Sequence, residues 1–352
     1  MSKLCLAFCL VVICGVVQGC SRSGEWHFYS ACLSPDGRQV ALGMTRHSAG
    51  GRLSDMSVVL ELSTRQVTYR KADSQEYDEP VEWSPDGQHL LVHRLAASIV
   101  DIVPDRMGLF IVDPVYDECE KATPSFGDSL LDAAGWLPGG REVVYTVIER
   151  VPASAGEHIS CVYRASSERT VKPLAKGARL LAVRDRPGTS RFALFLVRRL
   201  SEHRNAISIL GLPERTERRL MVVPTDYGGF LAAVSPGGKY LAAKLPMQGR
   251  LGVVALRAVG SPAQTLVTVP PRVRQLSWSA DAALLACSGT EGVWVYDRHT
   301  KSSWQAATDS PSVRCLWLPG GSGLLVVTRD DLRLVDVRTH RATVVCRVRD
   351  VL

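Results

Sequence analysis

The chain has 352 residues, 46% of them apolar, and a formal net charge of +7. That apolar content supports a large core and excludes a disordered chain. The modest basic excess permits anionic partners without demanding them, and no aromatic-basic interleaving marks a nucleic-acid binder, so nucleic acid is not expected as a partner.

The N-terminus opens with Lys3 and a continuous apolar run over residues 4–17. Fourteen residues are short for a bilayer span and right for a signal-peptide core. Val17-Gln18-Gly19-Cys20 follows. This resembles the lipobox of bacterial lipoproteins: an aliphatic residue, a variable one, a small one, then cysteine. The resemblance implies cleavage after residue 19 and lipidation of Cys20; the other reading is an ordinary secretory signal with Cys20 left as a thiol. Residues 1–19 are then the signal, 20–25 the lipidated cysteine and tether, and 26–352 the folded domain. Several acyl chains on one cysteine anchor stably, so the membrane is an expected partner through Cys20. Ser21 stands where an aspartate would favour inner-membrane retention in such lipoproteins. The expected address is therefore the outer membrane, facing the periplasm.

Beyond Cys20 the chain keeps Cys32, Cys119, Cys161, Cys287, Cys315 and Cys346. An exported protein can form disulfides, but most of these lie in apolar strand context and read as buried thiols. None has the close spacing of a metal knuckle.

A turn signature then recurs down the chain. Trp83-Ser84-Pro85-Asp86-Gly87 is its fullest copy. Serine opens a type I turn, proline presets φ, aspartate tolerates the third position, and glycine supplies a positive φ. Copies start at Leu33, Trp83, Trp136, Val234, Trp278 and Trp317, with a degenerate one at Asp185-Arg186-Pro187-Gly188. The seven prolines or their equivalents step by 50, 53, 49, 49, 44 and 39 residues. Each unit carries a strand before the turn, a second after it, a third such as Leu332-Arg333-Leu334-Val335-Asp336, and a fourth beyond a polar hairpin. Four short antiparallel strands repeated seven times predict an all-β, seven-bladed β-propeller. Both faces of each blade are covered, so the strands are continuously apolar. The recurring Trp83, Trp136, Trp278 and Trp317 read as blade-to-blade core. Whether the strand at residues 26–29 crosses over to complete blade seven stays open. The pattern resembles the TolB-type and WD-repeat-like propellers of bacterial envelope proteins.

Few segments carry a pattern that suggests chemistry. Gly127-Asp128-Ser129-Leu130 matches the start of a GDSL-type hydrolase motif, but it sits between blades, and Asp336-Val337-Arg338-Thr339-His340 has the wrong spacing for the partner pair. His89 and His93 share one strand face without a third ligand nearby. No cofactor, metal site or catalytic residue is therefore expected. The leading expectation is a non-catalytic protein-binding module, a monomer docking an envelope protein. The alternatives are an enzyme, lyase or hydrolase, or a small-ligand sensor, each with its site in the central channel. An enzyme would need ionisable side chains converging from several blades.

Loop length places the docking surface. The early repeats carry their extra residues in connections at 47–55, 96–106, 150–157, 73–79 and 123–132, all on the rim opposite the Pro-Asp-Gly turns. Asp73, Glu76, Tyr77, Asp78 and Glu79 are the expected partner-binding residues there, with Tyr77 as anchor. Alanine at Glu76, Tyr77 and Asp78 would leave stability nearly unchanged. Arg198, Arg199 and Arg204 on blade four form the other candidate surface.

Overall fold

The structure is a computed structural model. It describes residues 25–47, 53–72, 76–96, 107–116, 118–124, 130–150, 158–165, 173–185, 192–212, 214–224, 230–248, 251–261, 264–270, 272–307 and 312–352. Seven four-stranded antiparallel sheets follow one another in chain order, each built from four consecutive strands. The expected seven-bladed propeller is the fold. Blade four, whose turn is degenerate, is complete: its inner strand is Arg179–Asp185 and its outer strand Thr216–Pro224.

The turns form as their residues dictate. Ser84 Oγ donates to Asp86 Oδ1 at 2.5 Å and accepts from the His89 amide at 2.9 Å. Gly87 takes φ +73° and closes on the Ser84 carbonyl. Blade six uses Ala282 at the same place, at φ +58°. Asp36, Asp86 and Asp281 are all held below the usual carboxylate range, first by the serine hydroxyl two residues before them.

The recurring tryptophans join the blades in a second way. Each indole N–H donates to a carbonyl on the inner strand of the preceding blade: Trp83 to Cys32 (3.3 Å), Trp136 to Glu82 (3.2 Å), Trp278 to Ala233 (3.4 Å) and Trp317 to Ser277 (2.9 Å). Apolar clusters fill the wedges between blades, such as Cys32, Ala41, Val59, Trp83, Leu90 and Val112 between blades one and two.

Among the described residues no strand crosses over to close the ring, because blades one and seven each keep their own four strands. Closure is by packing and a backbone bond between the two blades. Phe28, Leu42 and Met44 of blade one share a core with Leu325, Val327 and Leu332 of blade seven. The Phe28 amide of blade one donates to the Arg329 carbonyl of blade seven at 2.9 Å. The terminal helical turn Val348–Val351 adds Val348 and Val351 to this core. Six cysteines lie among the described residues, all free, and all but Cys119 are buried. No helix among the described residues is long and apolar enough to cross a membrane.

Candidate functional site

The first strand of each blade lines the central channel, and these seven strands stand side by side in ring order. They are not regular. A β-bulge interrupts the inner strand of every blade but the fifth, shifting the ladder register at Tyr29, Val81, Asp132, Leu181, Arg274 and Val313. A bulge bends its strand and re-aims side chains, and bulges concentrate beside active sites. Asp132 spends its freedom on blade four, where Arg179 grips it with two bonds of 2.5 and 2.6 Å.

Counting ladder rungs from the turn puts equivalent residues at one height. The first rung holds Cys32, Glu82, Gly135, Arg184, Ala233, Ser277 and Leu316. The third holds Ser30, Glu79, Ala133, Ala182, Gln275 and Arg314, with Leu231 bonded at that level in blade five. Each rung carries one glutamate and one arginine, and the other members are uncharged. In both cases acid and base belong to blades that are not neighbours.

On the first rung Glu82 of blade two meets Arg184 of blade four across blade three. Gly135 makes room between them. A Cβ there would stand 3.1 Å from Glu82 Oε2 and 3.8 Å from Val183 Cγ2. Glu82 Oε2 accepts the Trp136 amide at 3.0 Å. Its carboxyl is reachable from the channel yet enclosed by protein, and desolvation raises its pKa against the pull of the Trp136 amide and Arg184. Arg184 is fixed by its own donors, to the carbonyls of Val183 (2.7 Å), Val234 (3.0 Å) and Ser235 (3.0 Å). Burial lowers its pKa and Glu82 opposes that.

On the third rung Glu79 of blade two feels Arg314 of blade seven across blade one. Enclosure raises the Glu79 pKa; Arg314 lowers it and Asp55 raises it further. Neither Glu79 nor Arg314 has a hydrogen-bond or ion-pair partner among the described residues. Tyr29 stands beside Glu79. Its ring lies on bare backbone at Gly43, where a Cβ would fall 2.8 Å from Tyr29 Cζ. Its hydroxyl is shut off from water without a hydrogen-bond partner among the described residues. Burial first, then Glu79, Asp55, Tyr77 and Asp78, raise its pKa well above the usual phenol value.

The expected partner-binding residues separate into different environments. Asp73 and Cys20 lie outside the described residues. Asp78 is only 1% exposed and takes a two-pronged bond from Arg94, at 2.6 and 2.8 Å. Lys71 Nζ stands 3.4 Å from Asp78, and Glu76 3.9 Å from Arg94. The Arg94 guanidinium also covers the Phe110 ring at 4.1 Å. Tyr77 is half-buried on the same strand. Glu79 belongs to the channel. On blade four Arg198 forks onto Glu217 with two 2.8 Å bonds, while Arg199 and Arg204 are exposed. The Gly127-Asp128-Ser129 stretch is outside the described residues. His93 is half-buried and desolvation lowers its pKa to about 4. No three His, Cys, Asp or Glu side chains gather as a cation site among the described residues.

Reading along the chain missed Tyr29, Glu82, Arg184 and Arg314. A signal was available across the repeats. At the position before the turn tryptophan, most units carry small or apolar residues, and only Glu82 and Arg184 are charged.

No family model matches the chain, and no curated protein does. Solved structures resemble it in fold. The oligogalacturonate lyase of Vibrio parahaemolyticus is 14% identical, with a TM-score of 0.61 over 90% of this chain and 92% of that one. A puromycin hydrolase, also 14% identical, gives a TM-score of 0.67 over 92% of this chain and 54% of its own. The acylaminoacyl peptidase of Pyrococcus horikoshii is 10% identical, with a TM-score of 0.58 over 92% and 52%. These neighbours are enzymes of the lyase and peptidase propeller group. Together with the charged side chains that three blades carry on their channel-lining strands, Glu79 and Glu82, Arg184 and Arg314, they overturn the expectation of a non-catalytic protein-binding scaffold. The alternative, an enzyme with its site in the channel, is the reading they favour.

Proposed function

We propose that the protein is an enzyme acting in its central channel, a lyase that eliminates across the carbon next to a substrate carboxylate. The observation that carries this reading is Glu79: enclosed, raised in pKa, without a hydrogen-bond partner among the described residues, and coupled to Arg314 of a non-adjacent blade. A carboxylate raised toward neutrality is a better proton acceptor at working pH. An arginine free to fork onto a carboxylate neutralises it and acidifies the neighbouring C–H bond. Glu79 takes that proton. The electron pair left behind forms a carbon–carbon double bond as the bond to the β-oxygen breaks. That oxygen leaves as a hydroxyl after taking a proton from water in the channel. Glu82 and Arg184, bonded to backbone groups two rungs nearer the turns, hold the wall of the site.

Oligogalacturonate has a carboxylate on each ring and an oxygen β to the acidic carbon. It is the substrate named for the lyase neighbour, which the chain matches over most of both lengths, whereas it matches the hydrolases over about half of theirs. The test is incubation of the purified protein with oligogalacturonate, following the ultraviolet absorbance of the unsaturated product. Turnover that falls at least ~100-fold in Glu79→Gln supports the reading, the size expected for loss of a general base. Absence of product from the wild type overturns it; binding without turnover points instead to a sensor. The Val17-Gln18-Gly19-Cys20 site supports an envelope address for this activity.

A further inference from the structure

Blade four extends an apolar residue into solvent between two arginines. Its second strand, Phe192–Ser201, is ten residues long and returns through Glu202 and His203 into Arg204–Leu212. The strand is buried as far as Val197, and residues 199–204 beyond it are all exposed. The ladder register shifts between Arg199 and Ser201. Such a bulge re-aims the residue it carries, here Leu200. Its side chain is 45% exposed and belongs to neither apolar cluster of the blade. Arg199 pairs with Asn205 in the ladder and Arg204 with Ser201, so the two flank Leu200. Neither has an ion-pair partner among the described residues.

Topology fixes the rim. The hairpin joins the second and third strands, so it lies opposite the Ser-Pro-Asp-Gly turns. Two first strands begin on that same rim, at Trp26 in blade one and at Leu130 in blade three. Arg46 stands over the Trp26 ring at 5.1 Å, and Leu130 is 38% exposed. Asp78 and Asp132 there are held by Arg94 and Arg179. Glu25 and Glu202 are the exposed acids of this rim among the described residues.

We propose that the blade-four hairpin docks on an anionic lipid bilayer, with Leu200 at headgroup depth and Arg199 and Arg204 on lipid phosphates. A leucine leaves water at that depth, while long arginine side chains keep their charge among the headgroups. Each guanidinium can fork onto a phosphate, and an anionic leaflet attracts both. A bilayer fits better than a soluble anion, which would leave Leu200 in water. The opposite rim has the reverse chemistry. Val115 and Tyr116 are exposed there next to the exposed carboxylates of Glu118 and Glu120, which an anionic surface repels. The contact needs neither the channel reading nor lipidation of Cys20. An anchor at Cys20 nonetheless acts in the same direction: Trp26 lies six residues beyond it, which holds this rim within roughly 20 Å of the bilayer. Docked this way, the channel opens away from the membrane, at the turn rim.

The experiment is amide hydrogen exchange of the full chain, read by mass spectrometry over residues 198–205. The probes are vesicles of mixed phosphatidylglycerol and phosphatidylcholine, vesicles of phosphatidylcholine alone, and glycerol phosphate. The mixed vesicles should slow exchange over this segment at least ~5-fold, and the other two probes should not. Arg199→Glu with Arg204→Glu should remove the slowing and Leu200→Ser should reduce it, with residues 113–116 unchanged throughout. All three substituted residues are exposed, so these variants should keep the wild-type thermal midpoint. Unchanged exchange over 198–205 on the mixed vesicles overturns the proposal, even where the chain is bound through its N-terminus. Equal slowing on phosphatidylcholine alone overturns it by removing the arginines' role. Slowing by glycerol phosphate overturns it in favour of a small-anion site, and slowing over residues 113–116 in favour of the opposite rim.

Discussion

Replacing Asp78 with alanine is expected to destabilise the propeller strongly, against the sequence expectation of a nearly silent change. Asp78 is 1% exposed and carries both prongs of the Arg94 guanidinium at 2.6 and 2.8 Å, with Lys71 at 3.4 Å. Its backbone carbonyl also accepts the Ser57 hydroxyl, tying blade two to blade one. Removing the carboxylate leaves Arg94, itself 7% exposed, without its main counter-charge. Breaking a buried pair from one side costs about 3–5 kcal/mol. An unfolding entropy of about 2.1 cal/mol/K per residue over roughly 330 residues gives ~0.7 kcal/mol/K, so the midpoint should fall by about 4–7 °C. Differential scanning calorimetry of the purified protein measures this. The companion double variant, Asp78→Leu with Arg94→Met, should recover most of the loss, because an apolar pair of similar volume replaces two desolvated charges. Lys71 can turn its ammonium to solvent, being already partly exposed. A midpoint within about 1 °C of wild type for Asp78→Ala would refute the reasoning.

Glu79→Gln is expected to raise the thermal midpoint at pH 7 while abolishing turnover. Enclosure raises the Glu79 pKa above its ordinary 4.5, so the ionised form costs stability once pH exceeds the folded-state value. The advantage of glutamine should shrink as pH falls through that value and vanish below about 4.5, where the wild-type carboxyl is neutral in both states; a variant less stable than wild type at pH 7 contradicts this. Gly135→Ala should cost under ~1 kcal/mol, because the atom its Cβ meets at 3.1 Å is the mobile end of Glu82. It should nonetheless lower turnover about tenfold by pushing that carboxylate off the Trp136 amide, and unchanged kcat/KM would rule that out. Labelled palmitate should enter the wild type grown in a lipoprotein-processing host and not Cys20→Ala, with equal labelling as the contrary result.

The fold was legible because a propeller writes its chemistry locally. Ser84, Asp86, Gly87 and His89 close one turn within six residues, and the same closure recurs blade after blade. Blade four shows the limit of that reading. Its turn consensus is degraded, yet Phe192–Ser201 and Arg204–Leu212 pair along their length and are buried by both neighbours. Packing between blades, not the turn, holds it in the ring.

The site was not legible for a reason found in Asp78 and Glu79. Along the chain they are one acidic run. In a strand, successive side chains point to opposite faces, so the first enters the blade-one wedge to meet Arg94 and the second turns to the channel. Their pairing registers show the split, with Asp78 opposite Arg94 and Glu79 opposite His93. A run of like charge therefore dissolves into a structural ion pair and a candidate base. The bulge at Val81 then restores Glu82 to the same side as Glu79, so blade two alone sends two carboxyls into the channel. Each is answered by an arginine from a blade beyond its neighbour, Arg184 across Gly135 and Arg314 across Ser30. Only closure of the ring brings the last blade to the second. Arg314 acquires its meaning from that closure, which is why no spacing along the chain could point to it.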